Sequence, residues 1–110
     1  MEGATPRESD GLAVSPANAG LSEEERRAAP ALFRALLAGH LLYALGERKA
    51  GKILAAVRMA LEMEPGLRIE SLEVKDAETR QPMKKLRAPV LLEAVVYAGR
   101  TRLADAVRLG

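Results

Sequence analysis

Pro65-Gly66 divides this sequence into two stretches with different periods. Before it, apolar residues return every three or four positions, as on one face of a helix. After it, they alternate every second position, as on one face of a strand. Proline has no backbone N–H and glycine favours no regular conformation, so neither period can run through the pair. The chain is therefore expected to build helices first and a sheet second.

Ser22 precedes Glu23, Glu24 and Glu25, a hydroxyl with an acid three residues on, which is a capping box at the positive end of a helix. Ala28, Leu32, Ala35, Leu36, Leu41 or Leu42, and Leu45 then follow at helical spacing up to Gly46, with Arg26, Arg27 and Arg34 mainly on other faces. Pro30 falls inside this pattern, removes one donor and bends the first turns. A second helix is expected from about Lys49 to Met63, carrying Ile53, Leu54, Val57 and Leu61. Beyond Pro65-Gly66, Leu67, Ile69, Ser71 and Glu73 alternate against Arg68, Glu70, Leu72 and Val74 in a partly covered strand. Asp76 to Pro82 is turn-like, Pro89 to Tyr97 suits a buried strand, and Ala98-Gly99-Arg100 makes a tight turn into Thr101–Leu109. The expected fold is α+β, a two-helix hairpin packed on a small, mostly antiparallel three-stranded sheet.

One Phe, two Tyr and no Trp leave the core to Leu, Val, Ala, Ile and Met, with Met59 and Met63 read as core. With 110 residues one domain is expected. The lack of cysteine excludes disulfides, thiolate metal sites and a cysteine nucleophile. No apolar run approaches the roughly 20 residues of a membrane span, and the polar start is unlike a signal peptide, so a cytoplasmic protein with no membrane partner is expected. The net charge of +2 comes from 17 bases against 15 acids. That near-balance, with Lys84, Lys85 and Arg87 and then Arg100, Arg102 and Arg108 read as solvated surface, does not point to nucleic acid. His40 has no second histidine to work with and takes no role. Asp105 either faces solvent or accepts from Arg102.

Met1 to Gly20 shows neither period and reads as a looped arm. Yet its residues Thr5-Pro6-Arg7-Glu8-Ser9-Asp10-Gly11-Leu12-Ala13-Val14-Ser15, followed by Asn18 and Leu21-Ser22-Glu23-Glu24-Glu25-Arg26, resemble a stretch of pantoate–β-alanine ligases, also called pantothenate synthetases. That family carries a run close to RE-x-DGLA, an apolar residue, then SSRN-x-YLS-x-ER. Ile69 to Ala77 and Gly99-Arg100-Thr101-Arg102-Leu103-Ala104-Asp105 resemble its later strands, which end TRL-I-DN. The order and spacing agree along essentially the whole chain.

The resemblance implies the C-terminal, lid-type domain of an enzyme that uses ATP and magnesium to turn pantoate into pantoyl-adenylate, which the amine of β-alanine then attacks. It divides the chain into an arm, residues 1–21, with the ATP-phosphate turn, and an α+β domain, residues 22–110. The implied partners are the N-terminal nucleotide-binding domain, with pantoate and β-alanine as substrates of the complete enzyme. Family enzymes are often homodimers. The family's H-x-G-H histidine motif has no counterpart here, so the chain alone is expected to be inactive, and no catalytic or metal-binding residue is assigned. Residue by residue, Val14 and Ser15 match the apolar residue and first serine of the phosphate turn and are the expected ATP-binding residues. Pro16 stands where a second serine is expected, Ala17 where an arginine is expected, and Pro6 where a residue lies with its backbone against adenine. One hydroxyl, one guanidinium and two backbone N–H groups are thereby missing. These departures favour the alternative, a diverged non-catalytic module kept for interaction or oligomerisation.

Overall fold

The computed structural model describes residues 5–110; Met1 to Ala4, the first part of the arm, lie outside the described residues. A 3-10 turn, Pro16–Gly20, leads into α1 (Glu23–Ala28), α2 (Ala31–Ala44) and α3 (Ala50–Glu62), then β1 (Leu67–Asp76), β2 (Val90–Ala98) and β3 (Thr101–Leu109). The strands form one antiparallel sheet in the order β1-β2-β3, and α2 and α3 pack as a hairpin on one of its faces.

The expected capping box closes α1. Ser22 Oγ accepts from the Glu25 N–H at 3.1 Å, and Glu25 Oε1 accepts from the Ser22 N–H at 2.9 Å. Pro30 does more than bend the helix that follows. It has no N–H to return to the carbonyl four residues earlier, and the helical run divides there into α1 and α2. Ala28, Ala29 and Pro30 are all buried at the break.

The inward face of α2 is Leu32, Ala35, Leu36, Gly39 and Tyr43. Gly39 marks the closest approach: a Cβ there would stand 2.7 Å from Leu92 Cδ2 and 2.9 Å from Val57 Cγ2. Leu45, Met59 and Met63, read from the sequence as core, are 75%, 67% and 81% exposed; of Leu41 and Leu42, between which the spacing did not choose, Leu42 packs against the core and Leu41 is 58% exposed. On α2 the cause is steric. α2 is apolar nearly all round, so its leucines do not select a face; alanine and glycine do, because they let the helix approach the sheet.

β2 is the central strand. It turns Val90, Leu92, Ala94, Val96 and Ala98 under the helices and leaves Leu91, Glu93, Val95 and Tyr97 on the uncovered face. Strict alternation fails in β1, where a bulge between Ile69 and Ser71 shifts the register. Leu67 and Ile69 before it share the covered face with Leu72 and Val74 after it, against the single alternation read from the sequence. β2 turns into β3 through Gly99-Arg100, with Gly99 at φ 61, the conformation that the first central residue of a type II′ hairpin requires.

Candidate functional site: an arm clasped to the edge of the sheet

The arm folds back on itself about Asp10-Gly11. The Glu8 N–H bonds the Leu12 carbonyl at 2.8 Å, the Gly11 N–H bonds the Glu8 carbonyl at 2.9 Å, and the Val14 N–H bonds the Pro6 carbonyl at 2.9 Å. Arg7 and Ala13 face each other across this short ribbon. Gly11 holds φ 96, and a Cβ on it would meet Phe33 Cδ2 at 2.5 Å, so both the turn and the close pass over α2 call for glycine. Leu12, 3% exposed, fixes the ribbon to the core.

Two arginine–aspartate pairs complete the attachment. Arg7 Nη1 and Nη2 donate to Asp105 of β3 at 2.6 and 3.1 Å, and Nη1 also donates to the Gly11 carbonyl at 3.1 Å. The same guanidinium lies 3.9 Å from the centre of the Phe33 ring. The Asp105 side chain is 3% exposed and also accepts from the Ala106 N–H at 2.8 Å. Asp105 is thus a buried acceptor satisfied by Arg7. Arg102, the partner considered from the sequence, turns instead to Glu70 at 3.0 Å. In the second pair, Arg26 of α1 donates to Asp10 at 2.7 and 3.2 Å in an exposed setting. The hydrogen bond from Arg26 holds the Asp10 carboxyl below its ordinary pKa and raises that of Arg26.

Val14 and Ser15 follow on the return strand of the ribbon. Both are exposed, and with Thr5 and Ala13 they edge an open cleft of about 430 Å³. Its floor includes Ser71, Glu73, Glu93, Val95, Ala104 and Ala106 on the uncovered face of the sheet. Ser15 caps the 3-10 turn, its Oγ accepting from the Ala17 N–H at 3.2 Å, with Pro16 at the first position, where a missing N–H is tolerated. The hydroxyl proton of Ser15 stays available to an acceptor in the cleft. Asn18 donates to the Ala13 carbonyl at 3.0 Å, while its own Oδ1 is buried without a hydrogen-bond partner.

The charges of the floor are answered within the sheet. Lys75 reaches Glu93 at 2.6 Å and Glu73 at 3.7 Å, and Arg80 reaches Glu93 at 3.6 Å. Nearby, the bond from Arg102 holds the Glu70 carboxyl below its ordinary range. Among the described residues no three carboxylate or imidazole groups are placed to hold a metal ion, and no helix is long and apolar enough to cross a membrane. Lys84, Lys85 and Arg87 are exposed, as is His40. The structure therefore brings Val14 and Ser15 together at one rim and adds Arg7, Asp10, Arg26, Phe33 and Asp105 as the groups that hold them. Arg7 and Asp10 lie in the recognised motif, but sequence spacing gave no means of finding partners 98 and 16 residues away.

The fold is that of a ligase segment: the chain belongs to the pantoate-beta-alanine ligase family, whose model matches residues 1–108. It is 45% identical over 109 residues to the pantothenate synthetase of Moorella thermoacetica, covering 96% of this chain and 37% of that protein. It is also 45% identical over 101 residues to the bifunctional pantoate ligase/cytidylate kinase of Synechococcus sp. (strain JA-3-3Ab), covering 92% of this chain and 19% of that one. The crystal structure of pantothenate synthetase from Thermus thermophilus superposes with a TM-score of 0.88 at 35% identity, over 94% of this chain and 37% of that one. The chain thus spans little more than a third of the pantothenate synthetases it matches, and the part matched is their C-terminal part.

Proposed function

We propose that this chain serves as the lid segment of an ATP-dependent pantoate–β-alanine ligase and is inactive without a nucleotide-binding N-terminal domain. The observation that carries this reading is the placement of Val14 and Ser15, the residues matching the family's phosphate turn, at the rim of the cleft. In the complete reaction the pantoate carboxylate attacks the α-phosphorus of ATP and releases pyrophosphate. The β-alanine amine then attacks the adenylate carbonyl, and AMP leaves. Magnesium would travel with the ATP phosphates, and pantoate and β-alanine would depend mainly on the N-terminal domain. The setting proposed is cytoplasmic.

Within that scheme the phosphate turn supplies one hydroxyl donor, Ser15, whose lone pair is engaged by Ala17 and whose proton is free for a phosphate oxygen. Pro16 offers no N–H and Ala17 no guanidinium, so charge gathering on the leaving pyrophosphate meets fewer fixed donors than the family pattern provides. The same two residues favour a second reading, a lid-derived interaction module that has left catalysis.

AMP release in a coupled assay separates these readings. The purified chain should show no substrate-dependent turnover with pantoate, β-alanine and ATP-magnesium; turnover would overturn the claim that it is inactive alone. Fused behind the N-terminal domain of the Moorella thermoacetica relative it should turn over, and the double change Pro16→Ser with Ala17→Arg should raise adenylation at least about tenfold, the rate equivalent of one restored charge-assisted contact. A fusion that stays inactive until both changes are made points to the interaction module. Equal activity of the two fusions would show that the missing donors were never limiting.

A further inference from the structure

We infer that Arg7 is a positioning residue, one that sets where Val14 and Ser15 stand over the cleft without itself entering it. Its bearing on ATP rests on the lid reading above. The ribbon crosses the β3 edge of the sheet. By register, Asp105 belongs to the face of β3 that the helices cover, opposite Ala94, whereas Ala104 and Ala106 on either side of it belong to the uncovered face. Arg7, on the outgoing strand of the ribbon, reaches Asp105. Val14 and Ser15, on the return strand, edge the cleft above the uncovered face. The ribbon straddles β3, and the Arg7 clamp determines how far over the edge its return strand extends.

The clamp has a defined direction. Two parallel guanidinium–carboxylate bonds fix both distance and rotation, the Phe33 ring fixes the plane of the guanidinium, and the bond from Arg7 to the Gly11 carbonyl ties the clamp to the turn of the ribbon. Arg7 is opposite Ala13, and the Val14 N–H bonds the Pro6 carbonyl, so a displacement of Arg7 passes to Val14 through one bridge and one hydrogen bond. The Asp105 side chain, 3% exposed with Arg7 in place, lines the same cleft as Val14 and Ser15, so the arginine that covers it also sits beside the residues it positions. Releasing Arg7 leaves the carboxylate with the Ala106 N–H alone, removes the two-pronged tie, and frees the ribbon to take a different seat. A lysine at this position keeps the charge but loses the fork and the stacked plane.

Amide hydrogen exchange on the 110-residue chain tests the clamp directly. Arg7→Lys and, separately, Asp105→Asn should speed exchange of the Val14 amide at least about tenfold, the equivalent of one lost charge-assisted bond, while the amides of β2 keep their protection. An unchanged Val14 amide in both variants would overturn the inference, because the ribbon would then be held by Leu12 and Asp10 alone. Equal acceleration at Val14 and throughout β2, or failure of both variants to fold, would also overturn it, since the pair would then be a general brace of the core. The consequence for the ligase is read in the Moorella fusion: Arg7→Lys should raise the KM for ATP at least about tenfold and leave the KM for pantoate unchanged. A fusion inactive with the natural arm defeats the lid reading while the exchange result still decides the clamp. An active fusion with an unmoved KM for ATP defeats the nucleotide consequence alone.

Discussion

The helical hairpin and the arm both rest on the same sheet, yet they are attached by different forces. α2 and α3 are held by Leu32, Leu36, Ile53, Val57 and Leu61 against Leu92, Val96 and Leu109, all essentially withdrawn from water. Among the described residues the arm contributes one well-buried apolar side chain, Leu12, and relies otherwise on two arginine–aspartate pairs and a few backbone bonds. Apolar burial is strong in proportion to area and nearly blind to direction. Paired charges are weaker overall but fix angle and distance. The hairpin is thus built to stay, and the arm to be placed.

The largest effect should come from the hairpin. Leu36→Ala removes a fully buried side chain between α2 and the rest of the core and should lower stability by about 2–5 kcal/mol, read as a fall in melting temperature. A loss below about 1 kcal/mol, well under that range, would mean that hairpin and sheet do not unfold together. Gly11→Ala comes next. It combines φ 96 with a Cβ 2.5 Å from Phe33, and should cost about 1–3 kcal/mol, expressed as faster exchange in the ribbon more than as a lower melting point. A drop in melting temperature as large as that of Leu36→Ala would erase the distinction between the two attachments. The smallest effect belongs to acid. The folded pKa of Asp10 is lowered by Arg26, so the stabilisation from this pair is complete above the ordinary carboxylate value and is lost as pH falls through the lowered one. Protection of the Leu12 amide, whose N–H bonds Asp10 Oδ1, measured against the intrinsic exchange rate at each pH, should fall in that acid window and, because the pair is exposed, also with added salt at neutral pH. Insensitivity to both would assign the tip of the arm to Leu12 and Gly11 alone.

The fold could be read from periodicity where periodicity had contrast. The capping box, the stop at Pro65-Gly66, the three strands and the Gly99-Arg100 turn follow from local chemistry, and the structure has them. On α2, apolar nearly all round, Leu45 misled and Leu41 could not be told from Leu42, because an apolar residue there carries no directional information; Met59 and Met63 belong to α3 and its C-cap, off the face of Ile53, Val57 and Leu61 that spacing does pick out. The bulge at Ile69–Ser71 was hidden because one extra residue changes parity without changing composition. The clasp was hidden for a different reason. Arg7, Phe33 and Asp105 meet only once the sheet exists, and no local pattern encodes a pairing across 98 residues.

The bulge in β1 also governs what the sheet can recruit from outside. β1 lies at one edge, where a row of unpaired N–H and C=O groups would offer a template to any extended chain. Over its first half the extra residue between Ile69 and Ser71 breaks the even spacing that an added strand would need. Over its second half the template is already spent: the Asp76 N–H bonds the Gln81 carbonyl at 2.9 Å, the Met83 N–H bonds the Val74 carbonyl at 3.3 Å, and Lys75 bridges Pro82. No regular run is left along this edge on which a foreign strand could zip, so the domain is guarded there against edge-to-edge polymerisation even while the apolar stripe of α2 stays in water.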